Sequence, residues 1–286
     1  MDRSTITRRQ LALGTMAGVA VARAGATRAQ SPEGPSGNRV RHSVARWTFG
    51  DMPLPELCNL ASDIGMQAID LVGPEDWHLL RDAGLDSSMC NGAEPNLTDG
   101  FADPQFHDAL VQSYERHIDL VAEAGYRNLI LFSGNGRGID PGKGLANAEA
   151  GIKRILRRAE QRGVVLQMEL LNSKVDHPGY MADNSLWGVE LCNRLGSDNF
   201  RLLYDIYHMQ IMEGDLAPTM ERHLARIAHV QLADNPGRHE PGSGEIHYPF
   251  LFAHLDRIGY QGWIGCEYKP ATTTQEGLGW FDQARA

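Results

Sequence analysis

Short apolar runs that read as strands alternate along this chain with longer stretches whose apolar residues recur at three- and four-residue spacing, the signature of a helix with one buried face. The strand-like runs fall at residues 43–47, 68–72, 87–90, 129–132, 164–169, 201–205, 228–232 and 263–267. Helical patterns occupy 54–66, 76–83, 103–124, 145–162, 185–195, 216–226 and 249–258 between them. Four helical stretches run into a glycine (Gly65, Gly125, Gly163, Gly259) just before the next strand, where a left-handed residue would turn the chain back to the sheet.

Eight strand–helix steps without a linker or low-complexity break predict an α/β protein whose residues 40–286 form one closed (β/α)8 TIM barrel. The competing design, a doubly wound open sheet, would carry a glycine-rich phosphate turn after its first strand, and residues 45–51 have no such spacing. The glycine-rich segment 133–138 lacks the Lys-Ser/Thr ending of a P-loop and is expected to be a substrate-facing loop. The last helix should be short, because Gly277 and Gly279 leave little helical pattern after Thr272.

Residues 1–29 depart from this alternation. Arg8-Arg9 precede an apolar run from Leu11 to Ala22, and Thr27-Arg28-Ala29 offers a cleavage site, so the segment reads as a twin-arginine export signal and the expected location is the periplasm or another exported site. Residues 30–39, rich in Pro, Gly and Ser, read as a tether. No later segment has the roughly 20 apolar residues of a membrane span. Removing the signal takes away five arginines and one aspartate and moves the net charge from −9 to −13. So acidic a chain has no electrostatic case for nucleic acid, and its expected partner is a small molecule; homo-oligomerisation is left open. The four cysteines (58, 90, 192 and 266) show no Cys-x-x-Cys spacing, so buried free thiols are expected and a zinc site is not.

The candidate chemistry lies at the C-terminal ends of the last four strand-like runs, the edge where parallel α/β folds bind ligands. Residues 227–232 give way at once to a polar loop with Pro236, Gly237, Arg238, Pro241, Gly242, Gly244 and Glu245, which makes Gln231, Asp234, Arg238 and Glu245 candidate site residues. Glu169, Asp205, Gln231 and Glu267 each end or follow an apolar run. Four oxygen-bearing side chains converging at a buried edge require a cation or a hydrogen-bond network. An all-oxygen set suits Mg2+ or Mn2+ better than zinc.

The motifs Glu169-Leu-Leu-Asn172, Asp205-Ile-Tyr-His208-Met-Gln210, His229-Val-Gln231 followed by Pro236-Gly-Arg238 and Gly242-Ser-Gly-Glu245-Ile, and Gly265-Cys-Glu267-Tyr268 resemble the hydroxypyruvate isomerase family, within the xylose isomerase-like TIM barrels. The resemblance covers nearly the whole chain after the signal and is most specific in its second half. It implies metal ligation by Glu169, Asp205, Gln231 and Glu267, and acid/base catalysis by Glu169 and Glu267. It further implies substrate contacts from His208, Arg238, Asn172 and Glu245, with residues 173–180 lining the pocket. Gln231 points to the hydroxypyruvate isomerases, since the ketose 3-epimerases of the wider group carry His there. The implied activity is divalent-metal-dependent isomerisation of hydroxypyruvate to tartronate semialdehyde through an enediolate. The alternatives are a ketose 3-epimerase or related sugar isomerase and, in a different class, a non-catalytic sugar-binding barrel. The export signal departs from a cytoplasmic hydroxypyruvate metabolism and puts the substrate in question more than the chemistry.

Overall fold

In the computed structural model, residues 40–281 are described, and eight parallel strands close into a barrel in sequence order, with the last strand returning to the first. The strands are β1 (Arg41–Ala45), β2 (Ala68–Val72), β3 (Asp86–Cys90), β4 (Asn128–Leu131), β5 (Val165–Glu169), β6 (Phe200–Asp205), β7 (Ile227–Leu232) and β8 (Trp263–Cys266). Around them lie α1 (Leu54–Asp63), α2 (Trp77–Asp82), α3 (His107–Glu123), α4 (Pro141–Arg162), α5 (Ser185–Leu195), α6 (Ile206–Met212), α7 (Leu216–His223), α8 (Tyr248–Arg257) and α9 (Thr274–Leu278). The expected signal and tether, residues 1–39, lie outside the described residues. Among the described residues no helix is long and apolar enough to cross a membrane.

The glycines that punctuate the pattern do what their positions require. Gly65, Gly125, Gly163 and Gly259 take φ of 82°, 84°, 71° and 75°, the left-handed region that a side chain disfavours. Helix α4 begins at Pro141, ahead of its first apolar residue, because Asp140 accepts the backbone N–H groups of Gly142 and Lys143 and Pro141 fits the first helical position. Residues 46 and 47, expected to continue the first strand, instead enter a 3-10 turn over Arg46–Phe49. The Arg46 guanidinium stabilises that turn by donating to the carbonyls of Phe49 and Met52.

The inside of the barrel is partly polar. Fully buried Asp70 accepts from Ser43 Oγ at 2.6 Å, from Ser88 Oγ and, at 2.8 Å, from His229 Nε2 across the barrel. Burial alone would raise the Asp70 carboxyl, but His229 and the two hydroxyls outweigh it and hold the group below its ordinary value. Gly265 makes room for this pair, since a Cβ there would collide with Asp70 Oδ2. The four cysteines are free and buried, as expected.

Candidate active site

Strands β5, β6, β7 and β8 deliver the expected ligands to one end of the barrel. Asp205 pairs in register with Gln231, which pairs with Gly265, two residues before Glu267. Glu169, Asp205, His208 and Glu267 are buried and offer ligand atoms within 4.8 Å of one another. Gln231 is fully buried, and neither its amide oxygen nor its amide nitrogen has a hydrogen-bond partner. An orphaned carboxamide beside three buried carboxylates is costly unless something satisfies it, and a hard cation fits this donor set.

Burial, reinforced by crowding of like charge, sets the electrostatics. Burial, and then the charges of Glu267 and Asp205, hold the Glu169 carboxyl well above its ordinary value. Burial and Glu267 push Asp205 up to about 8, against the opposing pull of Arg238. Arg238 is the counter-charge. Its Nη2 donates to Glu267 Oε2 at 2.6 Å and lies 4.0 Å from Asp205 Oδ2. The residue itself sits at φ 55°, an unfavourable conformation held by the loop that carries it. Asp234 shapes that loop and does not join the site: it is fully buried and accepts the backbone N–H groups of Asn235, Gly242 and Ile246.

His208 is held in one tautomer. Asn172 Oδ1 accepts the backbone N–H groups of Val175 and Asp176, so its Nδ2 is the donor, giving one hydrogen to Asp176 Oδ2 and one to His208 Nδ1, each at 2.6 Å. With Nδ1 accepting, the ring proton sits on Nε2, which is buried, has no partner and lies 3.9 Å from Asp205 Oδ2. Burial, then the Arg238 charge, keeps the imidazole well below its ordinary pKa and therefore neutral. Although within ligand distance of the carboxylates, His208 is an N–H donor in this arrangement.

The comparisons with known proteins agree with the barrel fold. Residues 58–284 match the model of the xylose isomerase-like TIM barrel. The chain is 32% identical to the 2-oxo-tetronate isomerase of Pectobacterium atrosepticum over 248 residues, covering 82% of this chain and 93% of that one. The chain belongs to the xylose isomerase-like TIM-barrel family. It is also 46% identical to the hydroxypyruvate isomerase of Escherichia coli over 122 residues, 43% of this chain and about half (47%) of that protein. A solved structure of an AP endonuclease, family 2, from Brucella melitensis superposes with a TM-score of 0.78 at 28% identity, covering 85% of this chain and 98% of that one. Relatives named as isomerases place the chain among the aldose–ketose type isomerases.

Within this family member, three sequence expectations take a different form. Asn172, expected to touch substrate, is fully buried with its amide saturated by protein partners, among them His208. Glu245, also expected at the substrate, is exposed, accepts from Gln210 and Asn235, and lines a separate outer cavity with Leu216 and Phe250. The glycine-rich 133–138 segment does not line the cavity above the carboxylates. It packs behind the wall, with Gly134 against Gly100 and Arg137 paired to Asp99. The 173–180 loop reaches the cavity through His177.

Two cavity residues carry no sequence signal strong enough to single them out. Trp47 leaves the sheet through the turn after β1 and donates its indole N–H to Glu267 Oε1 at 2.8 Å. Its ring lies 5.1 Å from the Arg238 guanidinium, a cation–π distance. Glu94, in the loop after β3, is an additional carboxylate lining the same cavity. The sequence could have placed both at the C-terminal ends of strands, but only long-range contacts turn them toward the buried carboxylates.

Proposed function

We propose that this isomerase moves a carbonyl between adjacent carbons of a small hydroxy-carbonyl compound, of the hydroxypyruvate to tartronate semialdehyde type, with Mg2+ or Mn2+ held by Glu169, Asp205, Gln231 and Glu267. The observation that carries this reading is the pair of buried glutamates beside Gln231, whose amide has no partner, and Asp205, whose Oδ2 has none. The bound cation would supply positive charge beside the substrate's carbonyl and hydroxyl oxygens. The rest of the chemistry falls to side chains. Glu169, its carboxyl raised toward neutrality, takes or gives a proton at one carbon, and Glu267 does so at the neighbouring carbon. His208 offers its Nε2–H to a substrate oxygen as negative charge grows there. Arg238 orients Glu267 and is the cationic partner for a substrate carboxylate or other polar group.

The test follows deuterium. Mn2+- or Mg2+-supplied protein is incubated in D2O with hydroxypyruvate and, separately, with a panel of ketoses, and both are read by NMR. Carbonyl migration with deuterium on the carbon that gains a proton is the expected result. Deuterium only at C3 of a ketose, with inversion there, would replace this reading by a 3-epimerase, and no exchange with any substrate would leave a binding barrel. We also propose twin-arginine export of the folded protein, supported by Arg8-Arg9 and the apolar run after them.

A further inference from the structure

Trp47 is carried to Glu267 by a rigid route. Val44 pairs in register with Cys266, so β1 and β8 end side by side, and the 3-10 turn over Arg46–Phe49 follows at once. Thr48 Oγ1 fastens the turn to the strand by donating to the Ala45 carbonyl at 2.9 Å, and Arg46 fastens its far end through the Phe49 and Met52 carbonyls. Buried Phe49 packs edge-on against Tyr268, the residue after Glu267, with 5.7 Å between ring centres. The turn that bears the indole is therefore tied to the segment that bears the carboxylate.

The direction of the N–H separates this residue from a plain cavity wall. Trp47 is 46% exposed and Glu267 only 2%. A half-exposed tryptophan that merely lined a cavity could leave its N–H to solvent, yet this single donor turns inward to Glu267 Oε1 at 2.8 Å. Arg238 Nη2 holds the other oxygen, Oε2, at 2.6 Å. One donor on each oxygen fixes the plane of the carboxylate, and each oxygen keeps a further lone pair for a cation or a proton.

The ring bears on the second donor as well. It lies 5.1 Å from the Arg238 guanidinium and 5.8 Å from the Lys269 ammonium, and the Lys269 N–H donates to the Arg238 carbonyl at 2.8 Å. Arg238 stands at φ 55°, a backbone conformation that its surroundings must hold, so the aim of its side chain depends on neighbours such as this ring. Trp47 thus touches one oxygen of Glu267 directly and steadies the group that touches the other.

We propose that Trp47 is a positioning residue for Glu267: its indole N–H fixes the carboxylate, and its ring holds the Arg238 guanidinium that completes the clamp. This rests on the isomerase reading, in which Glu267 is both a metal ligand and a proton carrier. The test is a double-mutant cycle of Trp47→Phe and Glu267→Gln in the full-length protein. It is read by Mn2+ affinity in calorimetry, and by kcat and KM at saturating Mn2+ for hydroxypyruvate or the ketose that the deuterium test shows to react. Trp47→Phe keeps an aromatic face and removes the N–H. It should weaken Mn2+ binding and lower kcat, each by about 10- to 100-fold, the range for losing a partner that orients a metal ligand, with KM little changed. Added to Glu267→Gln, it should cost less than about 2-fold more, because two residues that act as a unit are not additive. Changes of less than about 2-fold in both quantities for Trp47→Phe, a loss confined to KM, or a full cost that persists in Glu267→Gln overturns the proposal. If the wild-type protein binds no Mn2+ and turns over no substrate, the isomerase reading fails separately, and the clamp is judged by NMR of the metal-free protein. A Trp47 indole 15N–1H signal that moves upfield in Glu267→Gln would then support it, and a signal that stays in place would overturn it.

Discussion

Asn172 Nδ2 donates to His208 Nδ1 at 2.6 Å, and that one bond sets which nitrogen of the imidazole carries the proton. The orientation of the amide is fixed from behind by two backbone N–H groups on its oxygen. Asn172→Ala should release His208 into a mixture of tautomers, visible in its side-chain 15N shifts, and lower kcat by about 10- to 100-fold, the usual effect of losing a partner that orients an active-site group. A pure Nε2–H tautomer with unaltered kcat in that variant would show that Asn172 is merely structural.

Glu169→Gln and Glu267→Gln each remove a proton carrier and disturb the candidate ligand set. Each should cost at least about 10²-fold in kcat. Solvent-deuterium exchange into substrate should fall with turnover in both variants; exchange that persists in one would show that the other glutamate alone carries that proton.

The raised carboxyls make the metal-free protein sensitive to pH in a defined direction. Asp205 holds a proton in the fold up to about 8, whereas an unfolded aspartate releases it near 4. Between those values the folded state binds more protons than the unfolded state, so stability falls as pH rises, and Glu169 adds to the trend. Thermal unfolding of metal-free protein from pH 5 to 9 should show that decline, and Asp205→Asn should flatten it. Stabilisation by Mn2+ should grow over the same range, because the cation competes with those protons. Equal Mn2+ shifts at pH 5 and pH 8 would count against the ligand assignment.

Gly265→Ala tests the polar interior beneath the site. The added methyl would drive into Asp70 Oδ2 and crowd His229 Nε2 at 3.0 Å. A buried hydrogen bond to a carboxylate is worth about 1.5–3 kcal/mol, so denaturant unfolding should show a loss of that order. A loss under about 1 kcal/mol would mean that the barrel repacks around the methyl group.

Export is read from the precursor. Replacing Arg8 and Arg9 by Lys should trap full-length protein in the cytoplasm. Normal export of that variant would point to an ordinary secretory signal.

The barrel was legible in the sequence because its causes are local. Apolar runs of strand length, helical periodicity between them and glycines at the turns are properties of neighbouring residues, and Gly65, Gly125, Gly163 and Gly259 adopt the left-handed backbone their positions implied. The meeting of Glu169, Asp205 and Glu267 was legible for a related reason, since a carboxylate at the end of an apolar run has one place to go once the run lies in a parallel barrel. What the tertiary structure decided depends on distant partners. Asn172 and His208 are 36 residues apart, and only their contact makes one the other's positioning residue. Trp47 and Glu267 are 220 residues apart and meet because β1 closes on β8. Leu71 reaches the cavity only through an irregular turn of its strand that no side-chain pattern encodes. Periodicity records which face of an element is buried, whereas an active site is made where several elements end together, and that convergence is written in the closure of the barrel.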